Sequence, residues 1–227
     1  MFEIAKPEEE QKAPRTPLSR DRVLQAAIKT ADRDGIDSLS MRKLGQEVGV
    51  EAMSLYNHVR NKEDILNGMV DIVFSEIDLP SNGADWFTEM RKRAISTRQA
   101  LKRHPWAIGL MESRVQPGPA TLRHHDSVLR NLRDSGFSIE MAAHSYSVLD
   151  SYIYGFTLNE LSLPFDSSEE AAEVAGNILR ESSAGDYPYL VEMAIDRVMK
   201  AGYNYGDEFE FGLDLILDGL KKVQDST

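Results

Sequence analysis

From Ser19 onward apolar residues recur every three or four positions, the period of helices that bury one face. Val23, Leu24, Ala27, Ile28 and Ala31 share one face of a first helix, with Ser19 placed as its cap, Asp21 in its first turn and Gly35 as its stop. A second begins after Leu39 with Ser40 as cap and runs through Leu44 to Val48, where Gly49 supplies a tight turn. A third covers 52–57. Asn61 caps a fourth, whose stripe of Ile65, Leu66, Met69, Ile72, Val73 and Ile77 ends at Pro80. Beyond the break at 80–83 the helical period returns over 84–103, 105–115, 118–135, 138–162, 169–184, 187–201 and 207–223. Gly136, Pro164 and the 202–206 stretch punctuate it. No run alternates apolar and polar residues as a half-buried strand would, and no segment repeats at a fixed period. The expected fold class is all-α, with a three-helix domain over 19–66 and a larger helical domain over 67–227.

Composition changes this picture at one end. The first 18 residues carry three prolines and the run Glu8, Glu9, Glu10, too little apolar surface to offset the entropy of ordering them. Residues 1–18 are therefore expected to be a mobile arm. Neither a basic, apolar leader nor a membrane-length apolar run occurs, so the expected location is the cytoplasm, with no membrane partner. With no cysteine, thiolate catalysis, disulfides and cysteine-ligated zinc are excluded.

Charge changes it more. The chain carries 26 basic and 37 acidic side chains, a net charge of -11, which taken globally is the wrong sign for a polyanionic partner. The acidity is uneven: residues 15–68 sum to +1 and residues 69–227 to -10. From Ser40 to Lys62 the balance is +2, so a partner that repels acid would dock there.

Ser40 to Val59 has the mechanics of a helix-turn-helix. Leu44 and Val48 hold a supporting helix inward, Gly49 permits the turn, Val50 and Leu55 pin the second helix, and small residues (Ala52, Ser54) let its start sink into a major groove. The rival reading is an ordinary compact helical hairpin, because helix pairs joined at glycine are common.

Ser40 to Lys62, above all Leu55-Tyr56-Asn57-His58-Val59-Arg60-Asn61-Lys62-Glu63, resembles the DNA-binding domain of the tetracycline-repressor (TetR) family of bacterial transcriptional regulators. Ala26-Ala27, Asp34-Gly35 and Leu39-Ser40 are similar to that family's first helix. Pro105 after His104, Gly136-Phe137-Ser138, Gly155-Phe156 and the segment from Phe209 to Leu220 resemble the effector-binding and dimerisation domain of the tetracycline-repressor subgroup. The resemblance implies a repressor that binds a palindromic operator as a homodimer and is released by a small-molecule effector. It implies DNA contacts from Ser40, Arg42, Ala52, Met53, Ser54, Tyr56, Asn57, His58 and Lys62. Met53 would lie against a thymine methyl, Asn57 would pair with adenine, and Lys62 at a helix N-terminus would hold a phosphate with the free backbone amides. Arg15 and Arg20 offer further DNA contacts, although a solvated tail is the simpler account.

Phe209, Phe211, Leu213, Leu215, Ile216, Leu217 and Leu220 are too many apolar positions for one helix face, so the last helix should be buried on two sides. In the family this helix and the one like 138–162 build a four-helix dimer interface. The middle helices offer Trp86, Met90, Arg93, Thr97, His104, Trp106, Met111, Arg114, His144, Tyr152, Tyr154 and Asn159 as the lining of an effector pocket, although aromatics and methionine at helical spacing are more often core. His104 matches a histidine that binds drug and magnesium in tetracycline-binding members. Asp78, however, stands where those members have another histidine, and Arg93 falls near their pocket asparagine. Magnesium is not carried over, and no cofactor or metal is expected. His124-His125-Asp126 lacks a second cluster to close a metal site, Glu140 and His144 lack the second Glu-x-x-His pair of a di-metal bundle, and no nucleophile elbow or phosphate loop occurs. No enzyme is expected. The alternative function is a helical ligand-binding or protein-interaction module that binds no operator.

Overall fold

A computed structural model of the chain describes residues 17–81, 83–181 and 187–226, so residues 1–16 of the expected arm, Arg15 included, lie outside the described residues. These residues form helices and turns and no strand. They fall into two compact units, one ending at Leu66 and the other starting at Asn67.

In the first unit, α1 (Arg20–Asp34) begins where the Ser19 hydroxyl accepts the Arg22 backbone N–H at 3.2 Å. Its five apolar residues from Val23 to Ala31 are buried. At about 1.5–3 kcal/mol for each large aliphatic side chain, this face outweighs the helix's weak local preferences. A 3-10 turn (Ile36–Ser38) leads to α2 (Met41–Val48), capped by Ser40 and ended by Gly49 in the left-handed region, where φ is 74° and a side chain would be strained. The following helix, α3 (Ala52–Leu55), is shorter than the expected 52–57, because at Tyr56 and Asn57 the backbone bonds tighten to the third residue back. Then α4 (Lys62–Ser75) starts where the Asn61 side chain accepts the Asp64 N–H at 2.8 Å.

Three charged contacts lock this unit. Arg20 grips Asp64 with two nitrogens at 2.8 and 3.1 Å, fastening the start of α1 to the start of α4. Burial opposes the Asp64 charge, but Arg20 and the Arg60 backbone N–H hold its pKa below the usual carboxylate range. Arg22 donates to the Val48 carbonyl at 3.0 Å, satisfying the end of α2. Arg20, for which a solvated tail is the simpler account from sequence, is instead held against Asp64.

The second unit contains α5 (Trp86–Arg103), α6 (Pro119–Asp134), α7 (Ile139–Leu161), α8 (Ser168–Glu181), α9 (Pro188–Met193) and α10 (Asp207–Asp225). α7 packs against α5, α6 and α10, and Met90, Leu101, Val128, Leu132, Leu149, Ile153, Phe209 and Leu213 fill the space between them. The expected helix over 105–115 is only a 3-10 turn at Pro105–Ala107 followed by further turns, since Leu110 and Ser113 bond three residues back. The expected 187–201 helix gives way after Met193 to a π-helical turn over Ala194–Val198, against which α8 packs. Of the expected 169–184 helix, 182–184 lie outside the described residues. No helix among the described residues is long and apolar enough to cross a membrane.

Candidate nucleic-acid interface and buried polar centre

The helix-turn-helix is built by burial on one side only. Leu44, Val48, Leu55 and Val59 are buried, while Met53 is 75% and Tyr56 47% exposed. Exposing a methionine and a tyrosine so fully costs solvation and returns nothing within the unit. Asn57, Arg42 and Lys62 are exposed beside them, and Ala52, Ser54 and His58 are half-buried. Ser40 is occupied as the α2 cap, its hydroxyl accepting the Lys43 N–H at 3.2 Å.

The sequence-level balance of +2 over this motif overstates the cations free to meet phosphate. Lys43 is bridged to Asp34 at 2.8 Å, and Arg60 leans on Asp64. Arg33 and Lys43 together pull the Asp34 pKa down to about 2, so that bridge stays charged in any physiological buffer. Arg42 and Lys62 have no ion pair among the described residues. One close approach escaped the sequence reading. Gly45 is buried where α2 crosses the start of α3, and a Cβ there would stand 2.9 Å from the Val50 carbonyl oxygen. Gly49 makes the turn, and Gly45 lets the two helices meet.

The expected effector lining splits apart in the structure. Trp86 packs edge-on against Phe137 at 4.9 Å, and Met90, Thr97, Trp106 and Met111 are core. Thr97 spends its hydroxyl on the Arg93 carbonyl. Tyr152 belongs to the α7–α10 contact, stacking on Phe209 and donating to the Phe209 carbonyl at 3.0 Å. His144 and Asn159 face solvent, because the α7 stripe that points inward runs through Ser145, Leu149, Ile153 and Thr157 instead. Arg114 is half-buried beside Ser113, and His104 lies 3.3 Å from Glu76.

Two of the residues expected in the pocket, Tyr154 and Arg93, stand at a polar centre built around Arg93. Arg93 is 1% exposed, pairs with Asp150 on α7, and donates from Nε to His124 Nε2 on α6 at 3.1 Å. Its guanidinium lies 5.4 Å from the Tyr146 ring centroid. Tyr154 reaches Glu112 at 3.1 Å and Asp150 at 3.3 Å. Phe74 on α4 closes the group, its ring 5.1 Å from His124 and 5.4 Å from His125. Burial opposes the Arg93 charge, but Asp150 outweighs it and keeps the guanidinium protonated. Burial and the nearby acids push the phenols of Tyr146 and Tyr154 up, so both are neutral. Sequence reading missed Asp150, His124 and Tyr146. The signal available was a charged or polar residue on the inward stripe of a helix, as His124 is between Thr121 and Val128.

His124 gives this centre a pH signature. Burial, then the charge of Arg93, push its pKa down to about 2, so the folded state holds it neutral while the unfolded chain protonates it near pH 6.5. The unfolded state therefore binds the extra proton between those values, and stability falls as pH is lowered. Urea unfolding of wild type is expected to lose about 1.4 kcal/mol per pH unit more than His124→Phe between roughly pH 6 and 4.5. Parallel slopes for the two proteins would show that His124 is not held neutral.

On α10, Phe209, Leu213 and Leu217 are fully buried within their own unit, which removes them from the expected dimer face. Phe211 (66% exposed) and Leu215 (59%) point away, with Ile216 and Leu220 half-buried at the edge.

A helix-turn-helix unit followed by a larger all-helical unit with a polar centre is the architecture of a ligand-responsive, DNA-binding regulator. Residues 23–69 match the model of the tetR family of bacterial regulatory proteins, and residues 79–224 match that of the tetracyclin repressor-like C-terminal domain. The chain belongs to the TetR family of bacterial transcriptional regulators and is a ligand-responsive transcriptional repressor. The HTH-type transcriptional repressor DrrR1 of Streptomyces coeruleorubidus is 29% identical over 92% of this chain and 80% of its own length. The tetracycline repressor protein class A from transposon 1721, of Escherichia coli, is 30% identical over 91% of this chain and 92% of its own. Among solved structures, ActR of Streptomyces coelicolor in complex with actinorhodin is similar with a TM-score of 0.73 and 29% identity, over 92% of this chain and 99% of that one.

Proposed function

We propose that the chain binds a palindromic operator as a homodimer through the unit ending at Leu66, and releases it when a small molecule occupies the Arg93 centre. The observation that carries this reading is the one-sided burial of the helix-turn-helix, which leaves Met53 and Tyr56 standing out from a fully packed base. Met53, Asn57 and Ser54 read base edges and Tyr56 and His58 support the backbone contact, while Ser40, Ala52, Arg42 and Lys62 seat the motif on phosphates. A second copy covers the outward face of α10 at Phe211 and Leu215, so that two reading heads meet two half-sites. Release runs through α4. That helix begins with Lys62 and ends in the second unit, where Phe74 lies on His124 and His125 and where Asp71 accepts the Thr121 N–H at 2.8 Å at the start of α6. An effector that shifts α6 therefore shifts α4, and one that binds the released form ~100-fold better weakens operator binding by the same factor.

The test is a mobility shift on a palindromic fragment from beside the gene. Tyr56→Ala combined with Lys62→Ala is expected to weaken the shift at least ~100-fold, since each subunit loses two contacts. A wild-type protein that ignores all DNA at ~50 mM salt, where phosphate attraction is strong, would overturn the reading.

A further inference from the structure

Arg20 and Arg60 meet on one carboxylate, that of Asp64, in the first turn of the helix that Lys62 opens. Asp64 is only 8% exposed, unlike the acid of an ordinary surface ion pair. Arg20 binds both of its oxygens, at 2.8 and 3.1 Å, and reaches its backbone carbonyl at 3.4 Å. The Arg60 backbone N–H bonds the same carboxylate at 2.9 Å, and the Arg60 side chain lies 3.5 Å from it. Arg20 opens α1, an end at which the helix dipole disfavours a cation, so the acid on α4 is what holds it. Lifting Arg20 onto a DNA phosphate would leave a nearly buried carboxylate uncompensated. The exchange gains one charge-assisted contact and forfeits a two-pronged one.

Resting on the reading of this unit as the DNA-binding head, we infer that Asp64 is a specificity-determining residue. It withholds Arg20, and with it the side chain of Arg60, from phosphates, so that Arg42 and Lys62 carry the phosphate contacts and unrelated DNA is bound weakly. Phosphate is the same on every sequence, so each cation withheld lowers affinity for bulk DNA and leaves the base contacts to decide. The same clamp fixes the start of α1 to the start of α4. Releasing it therefore adds phosphate affinity while loosening the frame that holds the base contacts in register.

The test compares full-length wild type and Asp64→Asn on the operator fragment and on a scrambled duplex of equal length and composition, by fluorescence anisotropy from ~50 to ~200 mM salt. The amide keeps the size of the acid and can still accept the Arg60 N–H, but has no charge with which to hold Arg20. The variant is expected to bind the scrambled duplex roughly 10-fold more tightly at ~50 mM salt, with a salt slope steeper by about 0.9 for each arginine freed. Operator affinity should gain less, so the ratio of the two affinities falls. An acid that only holds the fold together predicts the opposite sign: weaker binding to both duplexes and no steeper slope. Adding Arg20→Gln to Asp64→Asn should remove most of the added slope. By itself Arg20→Gln should leave the wild-type slope unchanged, because a withheld arginine neutralises no phosphate. A slope shallower by about 0.9 per subunit would show Arg20 already on phosphate and overturn the inference, and this variant decides if Asp64→Asn fails to fold. A wild type that shifts operator beside an Asp64→Asn protein that gains nothing on the scrambled duplex sinks the inference alone. If neither protein binds any duplex, the proposed function falls with it.

Discussion

Asp150→Ala is expected to cost the protein about 3–5 kcal/mol of stability, the range for removing one partner of a buried ion pair. The reason lies in what remains. Arg93 is 1% exposed, has no second carboxylate bonded to it among the described residues, and cannot shed its proton. His124 offers it only a neutral nitrogen. Asp150→Asn keeps the shape and removes the same charge, so its cost should approach that of alanine. The double variant Arg93→Met with Asp150→Leu is expected to recover most of the loss, because replacing both charges with apolar groups of similar volume leaves nothing uncompensated. Urea unfolding at pH 7 followed by tryptophan emission measures all three, since Trp86 and Trp106 both lie in the second unit. A loss below about 1 kcal/mol in the single variants would mean that water or a second acid already shares the Arg93 charge.

That pair also marks how far the sequence could be read. Helical periodicity places Arg93 on the inward stripe of α5 with Met90 and Thr97, and Asp150 on that of α7 with Leu149 and Ile153. It does not say that α5 and α7 are neighbours, so two opposite charges 57 residues apart looked unrelated. For the same reason His124 read as part of a stray metal-binding run, and Tyr152 as pocket lining although it packs on α10. The helix-turn-helix was legible because its constraints are local: the Ser40 cap, the Gly49 turn and the Leu44, Val48 and Leu55 stripe all lie within 16 residues. The 105–115 segment was misjudged because Met111 and Trp106 at helical spacing are buried by turns as well as by a helix. On α10 the excess of apolar residues correctly required two covered sides, and only coordinates could sort Phe209, Leu213 and Leu217 from Phe211 and Leu215.

Gly45→Ala should separate local preference from tertiary geometry most sharply. By helix propensity alone, alanine in place of glycine within α2 gains about 1 kcal/mol. The added carbon, however, would stand 2.9 Å from the Val50 oxygen and 3.1 Å from the Ala52 nitrogen, both backbone atoms that open α3 and neither free to rotate aside. α3 must then shift as a body by several tenths of an ångström, an overpacking cost of about 1–3 kcal/mol that cancels the propensity gain. The larger effect is on DNA. Met53 and Tyr56 move with α3, while Arg42 on α2 and Lys62 on α4 stay put, so base-edge contacts fall out of register with the phosphate contacts that hold the motif. In the proposed dimer this happens at both half-sites. Operator affinity is therefore expected to drop at least ~100-fold with thermal stability nearly unchanged, and weak non-specific binding at low salt should persist because the phosphate contacts survive. Gly109→Ala, where the same carbon meets nothing within 4 Å, should leave operator binding intact. If Gly45→Ala binds operator like wild type, the α2–α3 crossing tolerates a methyl group and the close approach is not what positions the reading helix.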